Sequence, residues 1–119
     1  MKILVIEDRE SIRSFLRSAL EAGDHEVVTA ESGAEGIKIF REGGDFSIVW
    51  TDHDMPPGMN GEQVIAEIRR LKLRQPVVLF TANKELLIRL EKTPGDYLFL
   101  KKPATLKQIY AKIAEAINS

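Results

Sequence analysis

Short apolar runs alternate along this chain with stretches whose apolar residues recur every three or four positions, a pattern that predicts five strands and five helices in strict alternation. Lys2–Ile6 (KILVI) is continuous, short and rich in β-branched residues, as expected of a parallel strand covered on both faces. Residues 11–22 follow with Ile12, Phe15, Leu16, Ala19 and Leu20 on one helical stripe and Gly23 as the stop. Glu26–Ala30 is the second strand. Ser32 and Glu35 have the S-x-x-E spacing in which side chains satisfy free amides at a helix start. That helix runs to about Glu42, turns Ala34, Ile37 and Phe40 inward, and meets Gly43-Gly44 as its stop. Residues 46–51 form the third strand. Asn60 with Gln63 caps the third helix, whose inward stripe is Val64, Ile65, Ile68 and Leu71. Its basic end, residues 69–74, suits the negative pole of a helix and reads as a solvated terminus. Residues 77–80 are the fourth strand. Lys84–Lys92 is a helix with only Leu86, Leu87 and Leu90 to anchor it, so it is expected to be the least firmly held. After a break at Thr93-Pro94-Gly95, residues 97–100 form the fifth strand, and Thr105 with Gln108 caps a last helix facing inward through Leu106, Ile109, Tyr110, Ile113 and Ile117.

Strands alternating with helices through short connections imply a parallel sheet covered by helices on both faces. Right-handed crossovers make it an open, doubly wound α/β sheet of five strands. No internal repeat, low-complexity tract or interdomain linker interrupts it, and 119 residues suffice for one domain, 1–119, with its own core. A composition of 44% hydrophobic and 29% charged residues belongs to the soluble globular class. A formal charge of -1 gives no electrostatic reason to expect direct contact with nucleic acid or an anionic membrane. With no cysteine, disulfides and thiolate chemistry are excluded. The apolar run 3–6 is too short for a signal-peptide core, no stretch approaches membrane-spanning length, and the expected compartment is the cytoplasm.

Candidate chemistry lies where the strands end. The stretch 48–61 (IVWTDHDMPPGMNG) reads as a buried strand delivering Asp52 to a Pro/Gly-rich loop, although Asp52 taken alone serves equally well as a cap for the next turn. Other strand ends supply Glu7 and Asp8 after the first strand, Asp54 beside Asp52 after the third, Thr81 after the fourth and Lys102 after the fifth. In a sheet of order 2-1-3-4-5 the first and third strands are neighbours at the topological switch point, so Glu7, Asp8 and Asp52 converge on one crevice. Three carboxylates need a counter-charge there. A hard divalent cation such as Mg²⁺ suits all-oxygen ligands and keeps several waters, so two or three protein oxygens suffice. A hydroxyl and an ammonium flanking that metal are what a transferring phosphoryl group requires. Trp50, the three methionines and His53 read as packing or loop residues instead of ligands.

Taken together, the acidic pair Glu7-Asp8, the segment Asp52-His53-Asp54-Met55-Pro56, Thr81-Ala82, and Gly95 followed by Phe99-Leu100-Lys101-Lys102-Pro103 resemble the receiver domains of two-component response regulators, including the chemotaxis-regulator type. The resemblance covers essentially the whole chain and implies a flavodoxin-like fold and a phosphorelay function. By it, Asp52 is the phosphoacceptor, taking a phosphoryl group from a sensor histidine kinase or a histidine phosphotransfer protein. Asp8 and Asp52 bind Mg²⁺ through their carboxylates, Glu7 acts through water, and Asp54 contributes its backbone carbonyl. Lys102, favoured over Lys101 because it directly precedes Pro103, pairs with the phosphoryl oxygens, and the bond between Lys102 and Pro103 is expected to be cis. Thr81 hydrogen-bonds one phosphoryl oxygen, and Phe99 is the aromatic switch whose ring moves inward as the threonine shifts. The output is a changed protein-binding face formed by the fourth helix, fifth strand and fifth helix, in a monomer or a phosphorylation-dependent dimer. The implied module is no enzyme beyond its own phosphorylation and dephosphorylation, and with the sequence closing after the last helix it is expected to carry no output domain.

Three departures from the family pattern bear on the site. The usual MPxMxG is here MPPGMNG, one residue longer, with Pro57-Gly58 on the pocket rim. Asp54 and Asn83, each two residues past a site position, border the path of a hydrolytic water. The segment between Thr81 and Gly95 is slightly short, which bears on the signalling face. Two other readings compete. One is a degenerate receiver serving as a constitutive docking domain. The other is a phosphatase of the haloacid-dehalogenase type, whose DxD motif Asp52-His53-Asp54 resembles, although that motif normally follows the first strand and here follows the third.

Overall fold

Each apolar run becomes a strand and each amphipathic stretch a helix in the computed structural model, which describes residues 1–118. The elements are β1 (Lys2–Ile6), α1 (Glu10–Ala22), β2 (Glu26–Ala30), α2 (Gly33–Glu42), β3 (Ile48–Asp52), α3 (Gly61–Leu71), β4 (Val77–Thr81), α4 (Lys84–Lys92), β5 (Leu98–Lys101) and α5 (Leu106–Ile117). All four strand pairings are parallel and the order is β2-β1-β3-β4-β5, as the crossover argument requires.

Successive strand residues face opposite ways and build two cores. Leu4, Ile6, Val49 and Leu79 pack with Ile37, Phe40, Val64, Ile65, Ile68, Leu86 and Leu90 beneath α2, α3 and α4. Ile3, Val5, Ile48, Trp50, Val78 and Phe80 pack with Leu16, Leu20, Ile109 and Ile113 beneath α1 and α5. Because β1, β3 and β4 are covered on both sides, nearly all their residues are buried, which explains their continuous apolar runs. Trp50 is fully buried and meets Phe80 edge-on at 5.3 Å, so it is a packing residue as expected.

Helix starts follow the capping signals. Asn60 with Gln63 and Thr105 with Gln108 each form a reciprocal capping box. Ser32 accepts from the Glu35 N–H, but the Glu35 carboxylate accepts from the Glu31 N–H, one residue before the cap, so this box is not reciprocal. At the far ends, Gly23 and Gly43 keep negative φ, and the left-handed turn falls one residue later, on Asp24 (φ 67) and Gly44 (φ 84).

Several inward assignments shift by a residue. Ala34 is exposed, and Gly36 takes its place against the sheet, where a Cβ would collide with the Ile6 side chain. Phe15 (46% exposed), Leu71 (42%), Leu106 (47%) and Ile117 (47%) lie at the margins of their stripes. Tyr110 is also exposed, with its hydroxyl donating to the Ala19 carbonyl at 2.7 Å, and Ala116 is buried instead. The basic end of α3 is not wholly solvated either. Arg69 donates to Asp96 Oδ2 at 2.9 Å and to the Gln75 carbonyl, tying α3 to the connections before β4 and β5.

The start of α3 presses on the end of β3. A Cβ on Gly61 would overlap the Asp52 carbonyl oxygen and come within 2.6 Å of Leu79 Cδ1, while the Gly61 N–H donates to the His53 carbonyl at 2.8 Å. Gly61→Ala is therefore expected to cost about 1–3 kcal/mol through overpacking, against a gain in helix propensity of about 1 kcal/mol that an exposed helical site would show. Urea denaturation measures the net loss; a variant as stable as the parent would contradict this close approach.

Candidate functional site

Parallel register carries the polar strand ends to one edge of the sheet. Ile6 pairs with Thr51, Asp52 with Phe80, and Thr81 with Lys101, so the residues just beyond β1, at the end of β3, at the end of β4 and just beyond β5 converge at the carboxyl edge. There one carboxylate oxygen from each of Glu7, Asp8 and Asp52 lies within 4.8 Å of the others. Lys102 closes the group, its Nζ donating to Glu7 Oε1 and to Asp52 Oδ1 at 2.9 Å each. Lys101 is exposed and makes no such bond. The bond between Lys102 and Pro103 is cis, as is that between Pro56 and Pro57 in the longer loop.

Asp52 is 6% exposed. Its Oδ1 accepts from Lys102 and from the His53 N–H at 2.8 Å, whereas Oδ2 has no hydrogen-bond partner among the described residues. Thr81 is buried, and its Oγ1 accepts from the Asn83 N–H at 3.0 Å; Asn83 Oδ1 in turn accepts from the Leu86 N–H and caps α4. The Thr81 carbonyl also accepts from the Lys102 N–H at 2.9 Å, joining the hydroxyl and ammonium positions through the backbone. Phe99 is half-buried and packs on the core beneath α2, α3 and α4, on the side that receives Leu86 and Leu90 of α4. Asp54 is exposed on the loop. His53, expected to be an exposed loop residue, is buried, because α3 begins directly against the His53 backbone. Among the described residues its Nδ1 has no hydrogen-bond partner, and its Nε2 lies 4.0 Å from Asp54 Oδ1.

Electrostatics follow from this crowding. Glu7 is fully sequestered, and its carboxyl is pushed up from 4.5 to about 7, chiefly by burial and further by the Asp52 charge, against the opposing Lys102 hydrogen bond. One ammonium thus offsets three acids incompletely. The donor set is all oxygen and carries excess negative charge, which fits a hard divalent cation. Two oxygens on one Mg²⁺ at about 2.1 Å lie at most about 4.2 Å apart. A set spread over as much as 4.8 Å fits that ion after a small rotation, or with one acid acting through water. Arg13 of α1, which the sequence pattern does not single out, also reaches the site, donating to the Glu7 carbonyl at 2.9 Å. Nothing in its spacing marks it, because the contact is to backbone.

The pH dependence has a definite sign. A carboxyl whose folded pKa is raised adds stability that is fully present below its unfolded value near 4.5 and lost as pH rises through about 7. In metal-free solution, Glu7→Gln is therefore expected to be more stable than the parent at pH 8, by on the order of 1–3 kcal/mol, with the advantage fading toward pH 4.5. Urea melts with a chelator present across that range check this; a variant advantage that grows toward acid pH would contradict it.

The family model for the response regulator receiver domain matches residues 3–114. A transcriptional regulatory protein of Bacillus subtilis, YkoG, is 32% identical over 98% of this chain and 50% of its own length. The chain thus spans about half the length of this relative, and 44% of that of the transcriptional regulatory protein TcrA of Mycobacterium tuberculosis. Among solved structures, a response regulator receiver domain protein from Clostridium thermocellum is 34% identical with a TM-score of 0.88, covering 98% of this chain and 94% of that one. The response regulator TrrA of Thermotoga maritima, in complex with Mg²⁺ and BeF, is 30% identical with a TM-score of 0.84, covering 97% of each chain.

Proposed function

The chain belongs to the response regulator receiver family of two-component systems, phosphoacceptor domains in signal transduction, and from that premise we propose that Asp52 is the residue it phosphorylates. The observation that carries this reading is the convergence of Glu7, Asp8, Asp52 and Lys102 at the carboxyl edge of the sheet, with Asp52 Oδ2 unengaged. Asp52 attacks the phosphorus of a phosphohistidine on a sensor histidine kinase or phosphotransfer protein; an O–P bond forms, the N–P bond breaks, and the electron pair leaves with the imidazole. Lys102, already on Asp52 Oδ1, pairs with the phosphoryl oxygens that arrive beside it. Glu7, Asp8 and Asp52, with the Asp54 carbonyl as a further donor, would hold Mg²⁺, which would supply neutralising charge at the phosphoryl oxygens.

Thr81 carries the signal outward. Its hydroxyl is bonded to the Asn83 N–H at the cap of α4, so moving that oxygen onto a phosphoryl group releases a contact at the first turn of α4. Phe99 lies on the same side of the sheet, against the core that receives the leucines of α4. The phosphoryl group favours one of two conformers and shifts the face formed by α4, β5 and α5, to which a downstream protein binds. The chain works as one receiver domain without sustained phosphomonoester turnover, and in the cytoplasm; among its described residues no helix is long and apolar enough to cross a membrane.

Incubation with Mg²⁺ and acetyl phosphate, read by intact mass, is expected to add one phosphoryl group to the parent and none to Asp52→Asn. Lys102→Ala is expected to retain Mg²⁺ binding and to label at least about ten-fold more slowly, because it removes the ammonium that pairs with the phosphoryl oxygens as well as its resting bonds to Glu7 and Asp52. Equal labelling of Asp52→Asn and the parent would sink the assignment.

A further inference from the structure

Arg13 lies one turn into α1, and its side chain is only 15% exposed. Its Nη1 donates to the Glu7 carbonyl oxygen at 2.9 Å and reaches the Asp8 carbonyl oxygen at 3.5 Å. Its Nη2 pairs with Glu31 Oε1 at 3.2 Å, in the connection between β2 and α2. Glu31 is itself anchored, its N–H donating to Glu35 Oε1 in the first turn of α2. One planar guanidinium therefore grips the backbone of both acidic residues beyond β1 and braces them against the neighbouring connection.

The gripped carbonyls belong to the two residues whose carboxylates face Asp52 across the crevice. Adjacent carboxylates on a free turn repel one another and spread. Holding their carbonyls fixes the torsions that set both side chains, so the oxygens are gathered before a cation arrives. We infer that Arg13 is a positioning residue for the Glu7-Asp8 half of the metal site, acting through backbone carbonyls without touching the ion; this rests on the reading of Glu7, Asp8 and Asp52 as a Mg²⁺ site. Arg17, one turn farther along the same helix, provides the contrast. It reaches the Val27 carbonyl at 3.4 Å and Glu21 at 3.6 Å, tethering α1 to β2 with no contact to a site residue.

Calorimetric titration with Mg²⁺ tests this in the parent, Arg13→Ala, Arg13→Lys, Glu31→Gln and Arg17→Ala, each with its urea stability measured without metal. Outer partners of metal ligands typically carry about 10- to 100-fold in affinity. Arg13→Ala is expected to weaken Mg²⁺ binding at least about ten-fold, Arg13→Lys to recover part of that, and Arg17→Ala to stay within about two-fold of the parent. Should Arg13→Ala fail to fold, Glu31→Gln decides, with measurably weaker binding expected and parental binding counting against the inference. Parental affinity in Arg13→Ala, or an equal loss in Arg17→Ala, overturns the inference alone. A parent that binds no Mg²⁺ overturns the cation reading beneath it, and the inference with it.

Discussion

Three carboxylates held against one ammonium at the end of a parallel sheet are the constraint around which the rest of this molecule is arranged. Glu7 is buried almost completely, Asp52 nearly so, and Lys102 donates to both at 2.9 Å. A lone buried carboxylate is costly, and the Glu7 carboxyl rises accordingly to about 7. The arrangement persists because the strands on which these residues sit are themselves fixed by burial on both faces. Stability of the two cores thus maintains an excess of negative charge at the edge, which a divalent cation can redress.

The same constraint explains how a local event reaches a distant face. Thr81 and Lys102 are joined through the Thr81 carbonyl, and the Thr81 hydroxyl is bonded to the residue that caps α4. α4 is the shortest helix and buries only Leu86, Leu87 and Leu90, while Arg89 on its outer side pairs with Glu62 of α3 at 2.6 Å. An element held by three leucines, one cap and one partly exposed ion pair can be repositioned with little disturbance to the sheet.

Much of this was legible in the sequence, for reasons that differ by residue. Strand and helix order came through because β-branched runs such as KILVI and stripes such as Val64-Ile65-Ile68 answer to opposite periodicities. The placement of Asp52 and Thr81 at one sheet edge was legible because each sits where an apolar run stops, and Lys102 was distinguished from Lys101 because it directly precedes Pro103. Stripe edges were not: Phe15, Leu71 and Ile117 are apolar and correctly phased, yet exposed, since phase does not say how far a neighbouring helix extends. Ala34 gave way to Gly36 because close approach to Ile6 selects the residue without a side chain. His53 looked like loop and is buried because α3 begins directly against its backbone. Arg13 was not marked, and Arg69 was read as part of a solvated helix end, because their partners include backbone carbonyls, which leave no trace in residue type.

In the proposed function, the oxygen that receives the phosphoryl group belongs to Asp52. Borohydride reduction of the phosphorylated chain converts an acyl phosphate to the corresponding alcohol, and peptide sequencing by mass spectrometry then locates it. Homoserine at position 52 alone is the predicted result. Homoserine at position 8 or 54, with position 52 still aspartate, would contradict the account.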